Sequence, residues 1–312
     1  MRIVFIGTGD IGVPTLRALL HTPKHALVGV VSQPDKPVGR DQRVQAPPIK
    51  AESATTSVPV FQPARIRDEE AVEQIRALEP DVIVVMAYGQ ILPQPVLEIP
   101  RIACLNLHAS LLPQYRGAAP IQAAIAAGDA ETGITVIYMD EGLDTGDILL
   151  QTKLAISAHE TGGSLHDRLA QLGPGALLGA LDQLAKNNAP RTPQDSARAT
   201  SAPKLTRAHG KIDWSESAET IERKIRAFDP WPGAFTELTD ASGHSRHLKI
   251  FRASVAAQNT GEPGIVSTPN DTEVLVATGR GTLRLAEVQL EGKRRLPAAE
   301  FLRGFSSPIL HF

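Results

Sequence analysis

The 312-residue chain is predicted to be α/β: a Rossmann-like, mostly parallel sheet with helices on both faces, followed by a small C-terminal β-barrel domain of the OB type. Three observations carry this. Over the first 150 residues short β-branched runs alternate with helical patterns, as in strands joined by crossover helices. Beyond a Ser-, Thr- and Pro-rich stretch near residue 190 the alternation gives way to short strands. The charge balance also changes sign: residues 201–312 hold 15 basic and 13 acidic side chains, net +2, against 17 and 21, net −4, in the rest.

Taken in order, Ile3–Ile6 reads as a first buried strand and Val13–Leu20 as a helix, with Pro14 suited to its first turn. Ala26–Val31 is a second strand. Gln33–Pro48 then gathers Pro34, Pro37, Gly39, Pro47 and Pro48 with Lys36, Arg40 and Arg43. A loop this long and basic is expected to be functional or mobile. Glu69–Leu78 is helical, Asp81–Met86 is a β-branched strand, and Ala103–Leu107 and Ile134–Tyr138 are strands with a helix, Ala118–Ala127, between them. Ligands of such sheets bind beyond the carboxyl ends of the strands, so the segments after Ile6, Val31, Met86, Leu107 and Tyr138 are the ones to search.

A helix over Leu165–Leu184 closes the first part. The predicted division is a catalytic domain over 1–189, an extended linker over 190–207, and a β-barrel domain over 208–312. The last contains one helix, Thr220–Phe228, and short runs at Ala234–Leu238, His247–Phe251, Gly264–Ser267, Glu273–Ala277 and Thr282–Val288, as in an OB barrel or a sandwich.

Hydrophobic residues at 42% and charged residues at 21% support a sizeable core and exclude wholesale disorder. A net charge of −2 excludes a uniformly basic nucleic-acid coat but leaves room for a local basic surface. One cysteine, Cys104, excludes an intrachain disulfide and a cysteine-rich zinc site. No apolar run approaches the ~20 residues that cross a bilayer, and Met1–Ile6 is too short for a signal sequence. A cytoplasmic protein is expected.

Three segments carry chemistry. Gly7-Thr-Gly9-Asp-Ile-Gly12 matches the dinucleotide fingerprint between a strand and a helix. It also reads as a tight turn that needs glycine, the reading favoured here because Asp35 is displaced from the place where the fingerprint wants an acid. In Asn106-Leu-His108 the two polar side chains share one face of a strand end. An amide that stabilises an oxyanion beside an imidazole that moves a proton suits acyl transfer. Asp140-Glu141-Gly142-Leu-Asp144-Thr-Gly146-Asp147 reads as a metal loop, as the source of a carboxylate that orients a histidine, or as a solvated acidic turn.

Asn106-x-His108-x-Ser110-Leu-Leu-Pro113, Tyr115-Arg-Gly-Ala-Ala-Pro-Ile-Gln122 and Asp140-x-Gly-x-Asp144-Thr-Gly146 together resemble the folate-dependent formyltransferases. The likeness extends to Phe5-x-Gly7-Thr, to Gln33-Pro-Asp-Lys-Pro-x-Gly39-Arg40, and in the second part to Lys211-Ile-Asp-Trp214, Ile225–Ala234, Gly292-Lys293 and Phe301-x-x-Gly304. These last stretches point to the branch whose acceptor is initiator methionyl-tRNA. The resemblance implies that Asn106, His108 and Asp144 are catalytic. It implies that 10-formyltetrahydrofolate lies against Ser110, Leu111, Leu112 and Pro113, and that no metal takes part. It also implies that Arg40 lies in a loop used on the acceptor end of the tRNA and that the second part holds the tRNA; Arg43, Lys204, Arg207, Lys211 and Lys293 are the candidates for tRNA contact. Lys249, Arg252, Arg294 and Arg295 are further phosphate candidates. After Arg40 this chain has Asp41-Gln42-Arg43 where the family often has two lysines. A monomer is expected. The alternatives are a formyltransferase acting on a small amine such as an amino-sugar nucleotide, an NAD(P)-linked oxidoreductase using Gly7–Gly12, and a non-catalytic RNA-binding protein.

Overall fold

The computed structural model describes residues 1–39, 41–239, 245–256, 261–270 and 273–303. Its contacts divide the chain into two units: residues 1–120, 131–155 and 166–202, and residues 121–130, 156–165 and 203–312.

The first unit is built on strands whose sequences are apolar on both faces. β1 (Arg2–Gly7) is buried from Ile3 onward, and α1 (Val13–His21) turns Thr15, Leu16 and Leu19 inward. β2 (Ala26–Val31) pairs parallel to β1. Next come β3 (Lys36–Val38), β4 (Arg43–Gln45), α2 (Pro48–Ser53) and β5 (Val60–Phe61). α3 (Glu69–Arg76) carries Glu69 and Glu70 in its first turn and Arg76 in its last, matching the helix dipole, and buries Ala71, Val72 and Ile75. β6 (Val82–Met86) is buried at every residue. After α4 (Gln94–Leu97) come β7 (Ala103–His108), α5 (Pro120–Ala127), β8 (Glu131–Tyr138), β9 (Ile148–Ala155) and the long α6 (Gly162–Ala185).

The seven-stranded sheet runs β5-β2-β1-β6-β7-β8-β9. Its first five strands are parallel, while β7–β8 and β8–β9 pair antiparallel. The class is the predicted one, but three details differ. First, β8 runs against β7, pairing Tyr138 with Leu105 and Thr135 with His108, so the end of β8 at Tyr138 lies at the opposite edge from the carboxyl ends of the parallel strands. The edge strand β9, absent from the sequence reading, alternates part-buried and exposed residues from Leu150 to Ala155, as suits an antiparallel edge with one solvated face. Second, the basic loop is not structureless: β3 and β4 form a two-stranded ribbon, exposed throughout. Third, the stretch read as an extended linker over 190–207 is hydrogen-bonded to the first unit as far as Ala202.

In the second unit, α7 (Ala218–Ala227) starts at Ser217, whose hydroxyl accepts from the Thr220 N–H. Its Ile221 and Ile225 pack with Trp214, Leu248, Ile250, Val276, Leu283 and Val288 in one core. The strands are β10 (Ala234–Thr239), β11 (Ser245–Ala256), β12 (Val266–Ser267), β13 (Val274–Ala277), β14 (Thr282–Leu290) and β15 (Leu296–Pro297), before α8 (Ala298–Arg303). They form an antiparallel half-barrel sheet, order β10-β11-β14-β13-β12, with β15 on β14. Register shifts beside Arg252 mark where β11 bends.

Candidate active site

Asn106 and His108 stand two residues apart on β7 and leave the same face of the sheet. Asp144 reaches that face from the turn between β8 and β9. Its backbone is left-handed, φ 54°, a conformation aspartate adopts more readily than most residues but at a cost. Asp144 Oδ1 accepts from Asn106 Nδ2 at 3.2 Å. Oδ2 accepts from the Gly117 N–H at 2.8 Å and lies 3.6 Å from His108 Nδ1. The structure thus brings the three sequence-predicted residues together, with the His108 and Asp144 side chains only 6% and 12% exposed. Seclusion from water strengthens a charge interaction between them.

The other ring nitrogen, His108 Nε2, lies 2.8 Å from the Tyr115 carbonyl. A carbonyl only accepts, so Nε2 carries the hydrogen, and the lone pair of the singly protonated ring sits at Nδ1, beside Asp144. Asn106 spends one N–H on Asp144 and has a second to offer a ligand.

The loop that supplies Tyr115 and Gly117 is held by the segment expected as linker. Arg116 N–H donates to the Thr200 carbonyl at 2.8 Å, Ala202 N–H to the Arg116 carbonyl at 2.7 Å, and Tyr115 N–H to Thr200 Oγ1 at 2.8 Å. Gly117 has φ 117°, and a Cβ there would stand 2.6 Å from the Ala202 carbonyl, so the close approach requires glycine. Gln194, in the same segment, donates from Nε2 to the carbonyls of Asp144 and Gly146, both at 2.8 Å. Its Oε1 accepts from Arg116 Nε and Nη2 at 3.1 and 2.8 Å. The sequence reading missed Gln194 and gave Tyr115, Arg116 and Gly117 no individual role. The only local signal for Gln194 was a long amide in a run of Ser, Thr, Ala and Pro.

In the stretch assigned to folate, Ser110 is fully buried with its hydroxyl on the Gln114 carbonyl at 2.6 Å, and Leu112 is 3% exposed. The Leu112 backbone is fixed by Thr135 Oγ1 on its N–H and Gln151 Nε2 on its carbonyl. Leu111 and Pro113 are the partly exposed members of this stretch.

In the Gly7–Gly12 turn the Thr8 and Gly9 N–H groups both donate to the Ala87 carbonyl, and Asp10 places a carboxylate in the first helical turn. His166 Nε2 lies 3.1 Å from Asp10 Oδ1. The hydrogen bond between them lowers the Asp10 pKa and raises that of His166. In the acidic turn, Asp140 Oδ1 accepts from Gly142 N–H and Thr145 Oγ1 at 3.0 and 2.7 Å. Among the described residues no three of His, Cys, Asp and Glu converge to hold a metal. Cys104 is buried, which pushes its thiol up to about 12 and makes it a packing residue.

Arg40 and Gly304 lie outside the described residues. Arg43, Lys204, Arg207 and Lys293 are exposed. Lys211 pairs with Glu237 at 3.2 Å, Arg294 with Glu300 at 3.2 Å, and Arg295 with Glu287 at 2.6 Å while lying over the Phe251 ring. Lys249 and Arg252 are exposed, with Arg252 3.9 Å from Glu287.

Comparison with known proteins fits this geometry. The formyl transferase profile matches residues 1–181 and the formyl transferase C-terminal domain profile residues 204–306. A methionyl-tRNA formyltransferase of Marinobacter nauticus is 48% identical over 311 residues, covering 99% of this chain and 98% of its own. One of Akkermansia muciniphila is 47% identical over 306 residues, covering 97% and 96%. Among solved structures, HypX from Aquifex aeolicus in complex with tetrahydrofolic acid superposes with a TM-score of 0.61 at 21% identity. That match covers 99% of this chain, which spans about half of the longer HypX chain, 48%.

Proposed function

The chain belongs to the formyl transferase family, and we propose that it transfers a formyl group from 10-formyltetrahydrofolate to the α-amine of methionine esterified to initiator tRNA, with Asn106, His108 and Asp144 as the catalytic residues. It is a formyl-transferring enzyme whose near full-length relatives carry the methionyl-tRNA activity in their names. The observation that carries the residue assignment is the meeting of the three side chains around Asp144, at 3.2 and 3.6 Å.

The formyl donor supplies the carbonyl carbon and an amine leaving group, and the acceptor nitrogen must be the neutral amine, since free α-amines titrate near ~8. His108 takes the proton of the attacking amine at Nδ1, because Nε2 already carries a hydrogen held by the Tyr115 carbonyl. Asp144 faces the newly protonated nitrogen and offsets its charge. Asn106 directs its second N–H at the formyl oxygen as that oxygen becomes negative. His108 then returns the proton to the departing N10, so the C–N bond to the acceptor forms, the C–N bond to the donor breaks, and the ring ends as it began.

The exposed cations Arg43, Lys204, Arg207 and Lys293, with Lys211 and Arg40, are assigned to the tRNA backbone, and the stretch Ser110, Leu111, Leu112 and Pro113 to the folate. Among the described residues no helix is long and apolar enough to cross a membrane. We propose that the enzyme acts as a monomer in the cytoplasm, where initiator tRNA is used. The test mixes the protein with 10-formyltetrahydrofolate and methionyl-tRNA. Formylmethionine on tRNA is the expected product; its absence, with formylation of an amino-sugar nucleotide instead, overturns the acceptor.

A further inference from the structure

We propose that Gln194 is a positioning residue of the active site: its side-chain amide locks the turn that presents Asp144 to the loop that presents Gly117 and Tyr115, and so sets Asp144 against His108. This rests on the proposed role of Asp144. All four polar directions of the amide are used. Its two N–H groups meet the carbonyls of Asp144 and Gly146, and its oxygen takes two N–H groups of the Arg116 guanidinium. The reversed amide would set a carbonyl against carbonyls and an NH2 against a guanidinium, so the orientation is fixed by its partners.

What Gln194 holds on one side is a left-handed Asp144, a conformation that persists only where the surroundings over-determine it. On the other side, Arg116 lies between Tyr115, whose carbonyl accepts from His108 Nε2–H, and Gly117, whose N–H donates to Asp144 Oδ2. One amide therefore fixes the backbone on both flanks of the His108–Asp144 pair. The pair stands at 3.6 Å, longer than a hydrogen bond, so a sub-ångström change in either flank decides whether it closes during the reaction. Gln194 is held in its own place by the Ile148–Thr192 backbone bonds upstream and the Thr200–Arg116 and Ala202–Arg116 bonds downstream.

The experiment compares Gln194→Ala and Gln194→Glu in the full-length enzyme, alone and combined with Asp144→Ala. Gln194→Glu keeps the shape and an acceptor for Arg116 but replaces the NH2 that supplies both donors by one oxygen facing two carbonyls. Each single variant should lose about 10- to 100-fold in kcat, the scale of a displaced catalytic group, with KM for 10-formyltetrahydrofolate and for methionyl-tRNA within about threefold. Added to Asp144→Ala, either substitution should cost less than twofold more, because residues acting as one unit are not additive. The isosteric Gln194→Glu keeps the comparison available if the alanine variant misfolds. Normal kcat in a folded Gln194→Glu, or losses that multiply with Asp144→Ala, overturn the proposal while leaving Asp144 in place. An Asp144→Ala enzyme with normal kcat overturns both.

Discussion

Asp144→Asn removes one charge and, through its neighbour, one donor. Asparagine tolerates the left-handed backbone at φ 54°, so the turn keeps its shape. The Gly117 N–H, a fixed backbone donor, requires the asparagine oxygen at the place of Oδ2, which puts the new NH2 against Asn106 Nδ2, now 3.2 Å from Oδ1. Two donors cannot face each other there, so the Asn106 amide turns over and its oxyanion-directed N–H is lost as well. The lost attraction follows from distance. A unit charge pair at 3.6 Å interacts by about 4–5 kcal/mol at an effective dielectric of ~20. The charge alone can therefore account for up to about 10³-fold in rate, and little more than half of that interaction gives about 10²-fold, at about 1.4 kcal/mol per tenfold; the lost Asn106 donor adds to it. The assay is single-turnover formylation of methionyl-tRNA with folate affinity measured in parallel: kcat should fall about 10²- to 10³-fold with folate affinity unchanged and circular dichroism intact. Turnover within threefold of the parent refutes the charge argument. Recovery on adding Mg²⁺ or Mn²⁺, or loss of parent activity to a chelator, establishes the acidic turn as a metal loop instead.

His108→Ala and Asn106→Ala should each cost at least ~10²-fold in kcat without unfolding; near-parental turnover in a folded variant removes that residue from the mechanism. Replacing Lys293, Arg294 and Arg295 together should flatten the slope of log affinity for tRNA against log salt, measured by filter binding, with Lys293 contributing most because Arg294 and Arg295 already face Glu300 and Glu287. Arg40→Ala should lower the rate with bound tRNA more than it lowers tRNA affinity, which single-turnover rates and binding isotherms separate. The His166–Asp10 contact should show in thermal melts. The raised His166 pKa means its share of stability is fully present below the ordinary histidine value near ~6.5 and lost as pH rises through the raised value. The lowered Asp10 pKa means its share is present above 3.8 and lost on acidification through the lowered value. At this part-exposed site His166→Gln should cost about 0.5–1 kcal/mol at pH 6 and close to nothing at pH 9.

The parallel core was legible because its strands are apolar on both faces: Asp81–Met86 as read differs from Val82–Met86 as found by one residue. The Asn106–His108 pair was legible because a period of two fixes the shared face whatever the strand pairs with. Strand direction was not, since Ile134–Tyr138 is equally apolar read either way, and its antiparallel pairing is decided by its neighbours β7 and β9. The ribbon escaped because three-residue strands exposed on both faces leave no hydrophobic period. Gln194 escaped for a related reason: its segment is held by backbone and amide hydrogen bonds to residues 44 to 87 positions away, which leave no trace in local composition.

The 190–202 strap also sets an order of assembly. Asn106, His108 and Asp144 all leave the ribosome well before Thr200, yet the loop carrying Tyr115 and Gly117 gains its Thr200 and Ala202 bonds only when those later residues arrive, 85 positions downstream of Tyr115 in the case of Thr200. A nascent chain that stops short of residue 202 therefore holds the chemical groups without their frame. The same bonds, few and remote in sequence, form the part of the site that opens most cheaply once folded. The Arg116 and Ala202 amide hydrogens should exchange with solvent together, ahead of those in β6 and β7, and a protease cut after residue 186 should silence the enzyme with all three catalytic side chains still on one fragment.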